Sequence, residues 1–282
     1  VLKRLYTDNY GKSVAHFTHK NLQDVLSNQG DREYEVPTFD PDKIKNIPQA
    51  EAQGIEFWDS WAVLNHQGQL ANFNGFHLVV AMGGSSTDAS QGYLYLFSQP
   101  VNSTKFDDYN LIGRLFTDDA HKQVNDYYIE EQTQEWSGST ILEDGGSLRL
   151  FYAAFSGDKS KGGSGDSDQT LATANIPLSF DGTNITIGQP TDWRSLFDGD
   201  SSNYQSESQF DVLKWANEDN HALRDGHYFE DNGKKYLLFE ANTGKNYGYQ
   251  GAVEFYDASN LGGNLDFDVN KVLEIRLSFY ST

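Results

Sequence analysis

The chain has no cysteine in 282 residues, one methionine, six prolines and about half as many basic as acidic side chains (21 Lys and Arg against 41 Asp and Glu). Without Cys there is no disulfide framework, no thiolate zinc site and no thiol nucleophile. The compartment stays open on this ground, because secreted proteins without Cys are common. A net charge of −20 argues against nucleic acid or an anionic membrane as partner, since both demand a basic face. It suits a soluble protein, one able to bind Ca²⁺ through carboxylates. No apolar run approaches the roughly 18 residues of a membrane span; the longest, near Phe76–Met82, is interrupted by His77. No signal-peptide pattern is present, and the chain opens on Val1 rather than Met, so it is expected to be cut from a longer sequence.

What the chain does have is aromatic weight. Apolar residues make up 37% and aromatics 14%, with 16 Tyr and 18 Phe, enough for one large β domain or two smaller ones. Residues 13–29 predict a helix: Ser13 can cap it, Val14, Phe17, Leu22, Val25 and Leu26 supply an apolar stripe, and Gly30 ends it. Residues 31–54 hold three of the six Pro and many charges. The organisation expected is therefore a helix and extended lead-in over 1–56, then a β domain over 57–282.

From Phe57 onward short strands alternate with turn residues. Val79–Met82 and Tyr93–Ser98 are bounded by Gly and Ser clusters. Thr140–Leu142 and Ser147–Ala153 flank Glu143-Asp144-Gly145-Gly146, a hairpin. His227–Glu230 and Lys235–Glu240 flank Asp231-Asn232-Gly233, where Asn-Gly signals a tight type I′ turn. The Gly- and Ser-rich stretch 156–168 reads as an exposed loop, and it lacks the terminal bidentate Glu of a calcium-binding hand. A weak repeat runs through this region: a polar cluster opens a strand, a hairpin turn follows, and a second aromatic-rich strand comes next. Asp59 leads to Gly68, Trp136 to Gly145, and Asp225 to Gly233. Such a repeat fits propeller blades whose first strands line an axis, with a two-sheet sandwich as the alternative.

The chemistry sits where these strands start. Phe57-Trp58-Asp59-Ser60-Trp61 puts a carboxylate between two of only five Trp. By itself this is a packed β-strand with Asp59 at a turn, because perturbed carboxylates are often structural. Likewise Arg224-Asp225 alone is a surface ion pair worth under about 1 kcal/mol. If the three strand starts face one axis, Asp59, Asp225, Arg224, Trp58, Trp136 and Ser137 give two carboxylates, a guanidinium and aromatic platforms in one pocket, with Glu135 as a further candidate beside them. Retaining glycoside chemistry needs such a set: a carboxylate nucleophile, charge to stabilise an oxocarbenium-like transition state, and flat surfaces for sugar rings.

The order of the motifs is more specific. Trp58-Asp-Ser-Trp61, Gln134-Glu-Trp-Ser-Gly-Ser139, Asp219-Asn-His-Ala-Leu-Arg-Asp225, Phe239-Glu-Ala-Asn-Thr-Gly244 and Gly248-Tyr-Gln-Gly251 together resemble glycoside hydrolase family 68, the bacterial levansucrases and inulosucrases. The resemblance implies an all-β, five-bladed β-propeller, incomplete here with about the first three blades, preceded by the short N-terminal helix. It implies a sucrose-dependent fructosyltransferase that releases glucose and builds fructan by double displacement. Asp59 would be the nucleophile and Asp225 the transition-state stabiliser. Trp58, Trp136, Ser137, Arg224 and Glu240 would bind substrate, and Asp219 and Gln250 would hold a structural Ca²⁺. No organic cofactor is implied. The expected partners are sucrose and fructan acceptors, and the expected state is a secreted or wall-associated monomer.

Two departures stand out. Pro follows the Trp-Asp-Ser-Trp and Arg-Asp motifs in the family, whereas Ala62 and Gly226 stand here; Gly loosens the backbone that Pro would fix. The family's acid/base Glu lies in an Asp-Glu-x-Glu-Arg motif, and no such string occurs in this sequence. Glu274 is a superficial look-alike, better read as a strand residue. The 282 residues alone are thus expected to be an inactive, poorly folded fragment. Two other readings compete with this one: a truncated, non-catalytic sugar-binding relative, and an invertase-type fructan hydrolase. The latter is disfavoured by the absence of Asn-Asp-Pro-Asn-Gly around the nucleophile.

Overall fold

The alternation of apolar and polar residues between turn clusters folds into strands from Ile55 onward. The structure is a computed structural model that describes residues 5–7, 13–17, 45–116, 132–156, 168–197, 223–231, 234–242, 251–257 and 273–277. These contain a five-residue helix, α1 (Pro48–Ala52), and three mainly antiparallel sheets. The first sheet has four strands in the order β3 (Ile55–Ala62), β4 (Phe76–Ser85), β5 (Asp88–Pro100) and β6 (Asn110–Arg114).

The second sheet has β7 (Gln132–Leu142), β8 (Ser147–Ser156) and β9 (Asp168–Phe180) in line. Beyond β9 lie β10 (Ile185–Ile187), along residues 178–180, and β11 (Thr191–Phe197), along residues 171–175. In the third sheet β12 (Leu223–Asp231), β13 (Lys234–Asn242), β14 (Gly251–Asp257) and β15 (Leu273–Leu277) follow one another. On the far side of β15 lie β2 (Ser13–Phe17) and β1 (Leu5–Thr7). Three sheets among the described residues replace the two of a sandwich.

The helix expected over 13–29 is not what forms at its start. Ser13–Phe17 is strand β2, paired in parallel with Ile275–Leu277 of β15. A ladder partner far away in sequence overrides a rough helical stripe, since propensity is a weak prior against tertiary pairing. Residues 18–29 lie outside the described residues, as do the loop 157–167 and the turn pair 232–233. The lead-in carries α1, with Pro48 at its first turn where a missing N–H costs nothing. Glu274 lies on β15 opposite Glu254. No helix among the described residues is long and apolar enough to cross a membrane.

Two cores join the sheets. Leu78, Val80, Leu94 and Leu96 of the first sheet pack on Leu148, Leu150, Tyr152 and Ala174 of the second. Phe151, Leu171 and Phe197 of the second meet Leu223, Tyr228, Leu237 and Phe239 of the third. Strand β8 serves both, which explains its unbroken apolar run: successive side chains point to opposite faces, and each face has a sheet to cover it. Each such Leu or Phe contributes about 1.5–3 kcal/mol on burial. A third cluster, Ala50, Ala81, Tyr95 and Phe97, seats α1 on the other face of the first sheet.

Candidate active site

Each sheet's first strand lies beside the next one's. Leu64 just beyond β3 bridges Ile141 of β7 in parallel, with Leu64 N–H donating to Thr140 O at 3.0 Å and Leu142 N–H to Leu64 O at 2.8 Å. Trp61 Nε1 donates to Thr140 Oγ1 at 2.9 Å. Strand β12 then joins β7 through Ser139, and the Phe151 and Tyr228 rings stack 5.0 Å apart at 2°.

All three first strands are bulged at the same level. The ladder skips Trp58 between Phe57 and Asp59, Ser137 between Trp136 and Gly138, and the pair Asp225–Gly226 between Arg224 and His227. A bulge adds residues on one strand and re-aims the side chains around it. Gly138 is what lets β7 approach β8 there, because a Cβ would collide with the Phe151 carbonyl oxygen. Asp225 takes φ +54°, the left-handed state that Asp tolerates better than most residues.

The bulges bring the sequence-predicted carboxylates together. Ser137 Oγ–H donates to Asp59 Oδ2 at 2.5 Å, leaving Oδ1 unconstrained by that bond, and Ser137 Oγ also lies 3.7 Å from Met82 Sδ. Arg224 Nε lies 3.3 Å from Glu240 Oε2 and 3.9 Å from Asp225 Oδ2. Burial and the negative charge of Glu240 push the Asp225 carboxyl up to about 6, with Asp59 adding to the push and Arg224 opposing it. Asp59 and Asp225 thus share one field, the arrangement in which two carboxylates divide chemical roles by environment. Trp136 stacks on Phe155 at 4.6 Å and 9°, and its indole N–H donates to Gln134 Oε1 at 3.1 Å. Trp58 is 44% exposed, a flat face open to solvent.

Glu135 does not join this group. It is fully buried, accepting the Leu94 N–H at 3.1 Å with Arg114 at 3.9 Å. Its carboxylate is engaged by β5 and by Arg114 at the end of β6, both of the first sheet. Asp219 and Gln250 lie outside the described residues. Among the described residues no group of three or more His, Asp and Glu side chains is placed to hold a metal ion. Gln134, which accepts the Trp136 indole N–H, and Ser139, whose hydroxyl bonds the Gly226 carbonyl and the Tyr228 N–H, were missed as site residues; their sequence signal is that they frame Glu135-Trp136-Ser137-Gly138.

The opposite ends of the same strands carry a second cluster. His66 Nδ1 lies 2.6 Å from Glu230 Oε1 and Nε2 lies 3.1 Å from Glu143 Oε2, while Tyr228 O–H donates to Glu230 Oε1 at 2.7 Å. One imidazole therefore ties all three sheets.

Comparison with known proteins gives a family match over residues 7–266, to the model described as Levansucrase/Invertase. A levansucrase of Bacillus subtilis is 40% identical over 263 residues, 93% of this chain and 54% of the relative. An inactive levansucrase of Geobacillus stearothermophilus is likewise 40% identical over 93% of this chain and 54% of its own length. A crystal structure of a levansucrase variant complexed with sucrose superposes with TM-score 0.73 at 40% identity, covering 88% of this chain and 54% of that one. The chain spans about half the length of the curated relatives it matches.

Proposed function

Because the chain belongs to glycoside hydrolase family 68, we propose that it carries the nucleophile half of a sucrose-dependent fructosyltransferase active site that builds a β-fructan. The observation that carries this reading is the convergence of Asp59, Ser137 and Asp225 on three adjacent bulged strands. In the first step an Asp59 carboxylate oxygen attacks the anomeric carbon of the fructosyl unit. The bond to the glucosyl oxygen breaks, and that oxygen takes a proton from an acid. In the second step the same group, now a base, removes the proton of an acceptor hydroxyl, which displaces Asp59. Ser137 holds one Asp59 oxygen so that the other faces the sugar. Ionised Asp225 offsets the positive charge that develops on the ring, and Trp136 and Trp58 present flat faces to it.

The three sheets are read as the first blades of a five-bladed propeller whose first strands line the pocket. The acid/base Glu is proposed to lie outside these 282 residues, so that the chain alone binds sugar without turning it over. A structural Ca²⁺ on Asp219 and Gln250 suits the oxygen donors those side chains offer, and a secreted monomer suits a polymer-making enzyme.

The test is glucose release and fructan formation from sucrose, measured on the 282-residue chain and on the reading frame extended past the codon for Thr282. Turnover in the extended protein, a trapped fructosyl ester on Asp59, and loss of both in Asp59→Ala are expected. Turnover by the 282 residues themselves would place an acid among them. The equal match to an inactive levansucrase favours one second reading, a non-catalytic sugar binder. Saturable sucrose binding without glucose release from the extended protein would establish that instead.

A further inference from the structure

Ser139 stands behind Asp225 and has no part in the reading above. It is 5% exposed on β7, and its Oγ makes two hydrogen bonds to β12: it donates to the Gly226 carbonyl at 2.8 Å and accepts the Tyr228 N–H at 2.8 Å. Those backbone groups lie either side of His227, on the edge of β12 that faces β7. Among the described residues β12 pairs in its sheet only with β13, so none of the described ladders satisfies that edge. A hydroxyl can donate and accept at once, and so replaces the missing strand at this point.

The bulge depends on this bond. The ladder to β13 runs from Arg224↔Glu240 directly to His227↔Leu238 and skips Asp225 and Gly226. Nor is Gly226 tightly packed: a Cβ there would meet Leu171 at 3.5 Å and Leu237 at 3.6 Å, ordinary contact distances. Yet Asp225 holds φ +54°, a state that persists only where the surroundings impose it. Ser139 supplies that constraint from the β7 side.

We propose that Ser139 is a positioning residue for fructosyl transfer, its hydroxyl fixing the Asp225–Gly226 bulge and so aiming the Asp225 carboxyl at the sugar beside Asp59. The proposal rests on the roles given to Asp59 and Asp225 above. Ser139→Ala removes both bonds, whereas Ser139→Thr keeps them. In Ser139→Ala of the extended protein, kcat for sucrose should fall about 10–100-fold with KM changed far less, the mark of an interaction made in the transition state. The titration of the Asp225 carboxyl, followed by ¹³C NMR, should leave its midpoint near 6 for the ordinary aspartate range as the group swings away from Glu240. Ser139→Thr should keep both properties.

A folded Ser139→Ala protein with kcat and the Asp225 midpoint unchanged, and only a lower melting temperature, would overturn the proposal. If Ser139→Ala does not fold, Ser139→Cys, a poor donor and acceptor, is set against Ser139→Thr; equal kcat and equal midpoints in the two would equally overturn it. The titration needs no substrate and decides on Ser139 alone. Absence of glucose release from the extended, unsubstituted protein would count against the fructosyl reading instead.

Discussion

His66 Nδ1 lies 2.6 Å from Glu230 Oε1, joining the loop after β3 to the far end of β12, and its other nitrogen reaches Glu143 beyond β7. Burial alone would lower the imidazole pKa, but the hydrogen bond to Glu230 and the charges of Glu143 and Glu230 outweigh it and raise it. Burial likewise acts to raise Glu230, and the bonds from Tyr228 and His66 with nearby Lys235 bring it below the usual glutamate range. Arg149, whose Nη1 pairs with Asp192 Oδ2 at 2.7 Å, also places its Nε 3.9 Å from Glu143 Oε1.

The raised imidazole contributes stability that is complete below the ordinary His value of about 6.5 and is lost as pH rises through its folded value. The lowered Glu230 contributes stability present above the ordinary Glu value and lost as pH falls through its folded value. Melting temperature should therefore peak in mild acid, between the two, and decline above about pH 6.5 by up to ~1 kcal/mol of stability. In His66→Gln the decline on the alkaline side should flatten. A wild-type melting temperature that keeps rising from pH 6 to 8, unaltered in His66→Gln, would contradict this.

Asp225, at the other end of the strands, predicts a loss in the same direction as His66 but at lower pH. Its folded value, about 6, is above the ordinary aspartate range. Its contribution is thus complete below the unfolded value and lost as pH rises toward and past 6. Asp225→Asn keeps the shape and tolerates φ +54° while removing the repulsion from Glu240 and Asp59. It should raise the melting temperature at pH 7. Because the side chain is 45% exposed, water screens the repulsion and the gain stays under about 1 kcal/mol. In the extended protein the same variant should lose sucrose turnover, and without the substitution kcat there should rise through a pH near 6 as Asp225 ionises. A less stable Asp225→Asn protein at pH 7 would refute the field assigned to this site.

The strand pairs were legible because their signals are local: Glu143-Asp144-Gly145-Gly146 between two apolar runs leaves few alternatives to a hairpin. Asp59, Ser137 and Asp225 were legible as motifs, and the rough three-fold repeat set Asp59, Trp136 and Asp225 at equivalent positions, although Asp59 and Trp136 lie in mid-strand rather than at strand starts. The bulges were not, since a single extra residue shifts the alternation by one and looks like noise in a short strand. Glu135 was grouped with the pocket because it belongs to the same motif; the contacts that bury it, with Leu94 and Arg114, come from distant sequence and leave no local signal. Strand β2 was hidden for another reason. Its ladder partner, Ile275–Leu277, is about the whole chain away, and no local pattern announces it.

Gln134 tests how Trp136 is held. Its buried Oε1 accepts both the Gly92 N–H at 3.0 Å and the Trp136 indole N–H at 3.1 Å. Gln134→Leu preserves bulk and strands two donors, so it should cost about 2–3 kcal/mol. Loss of the indole anchor should also weaken sugar binding while the Trp136–Phe155 stack remains. Chemical denaturation with sucrose titration checks both, and wild-type stability in Gln134→Leu would show that water replaces the carbonyl.

Two glycines one strand apart should respond in opposite directions. At Gly138 a Cβ would overlap the Phe151 carbonyl oxygen and crowd Tyr152 Cα at 2.8 Å, both backbone atoms that cannot rotate aside. Gly138→Ala must therefore push β7 off β8, carrying Ser137 and Ser139 with it, at a cost of about 4 kcal/mol or more, the range reserved for disrupted cores. Gly226 has no such neighbour: Leu171, Leu237 and Phe151 side-chain atoms lie at 3.5, 3.6 and 3.8 Å. Its carbonyl bond to Ser139 does not involve the side chain. Gly226→Ala should stabilise by about 0.4–1 kcal/mol, by restricting the unfolded chain at a site whose folded backbone an alanine can adopt. The gain should come without moving Asp225, so sucrose kinetics stay unchanged in Gly226→Ala and collapse in Gly138→Ala. Equal destabilisation of both variants would mean that the bulge at Asp225–Gly226 is held by packing and not by the Ser139 hydroxyl.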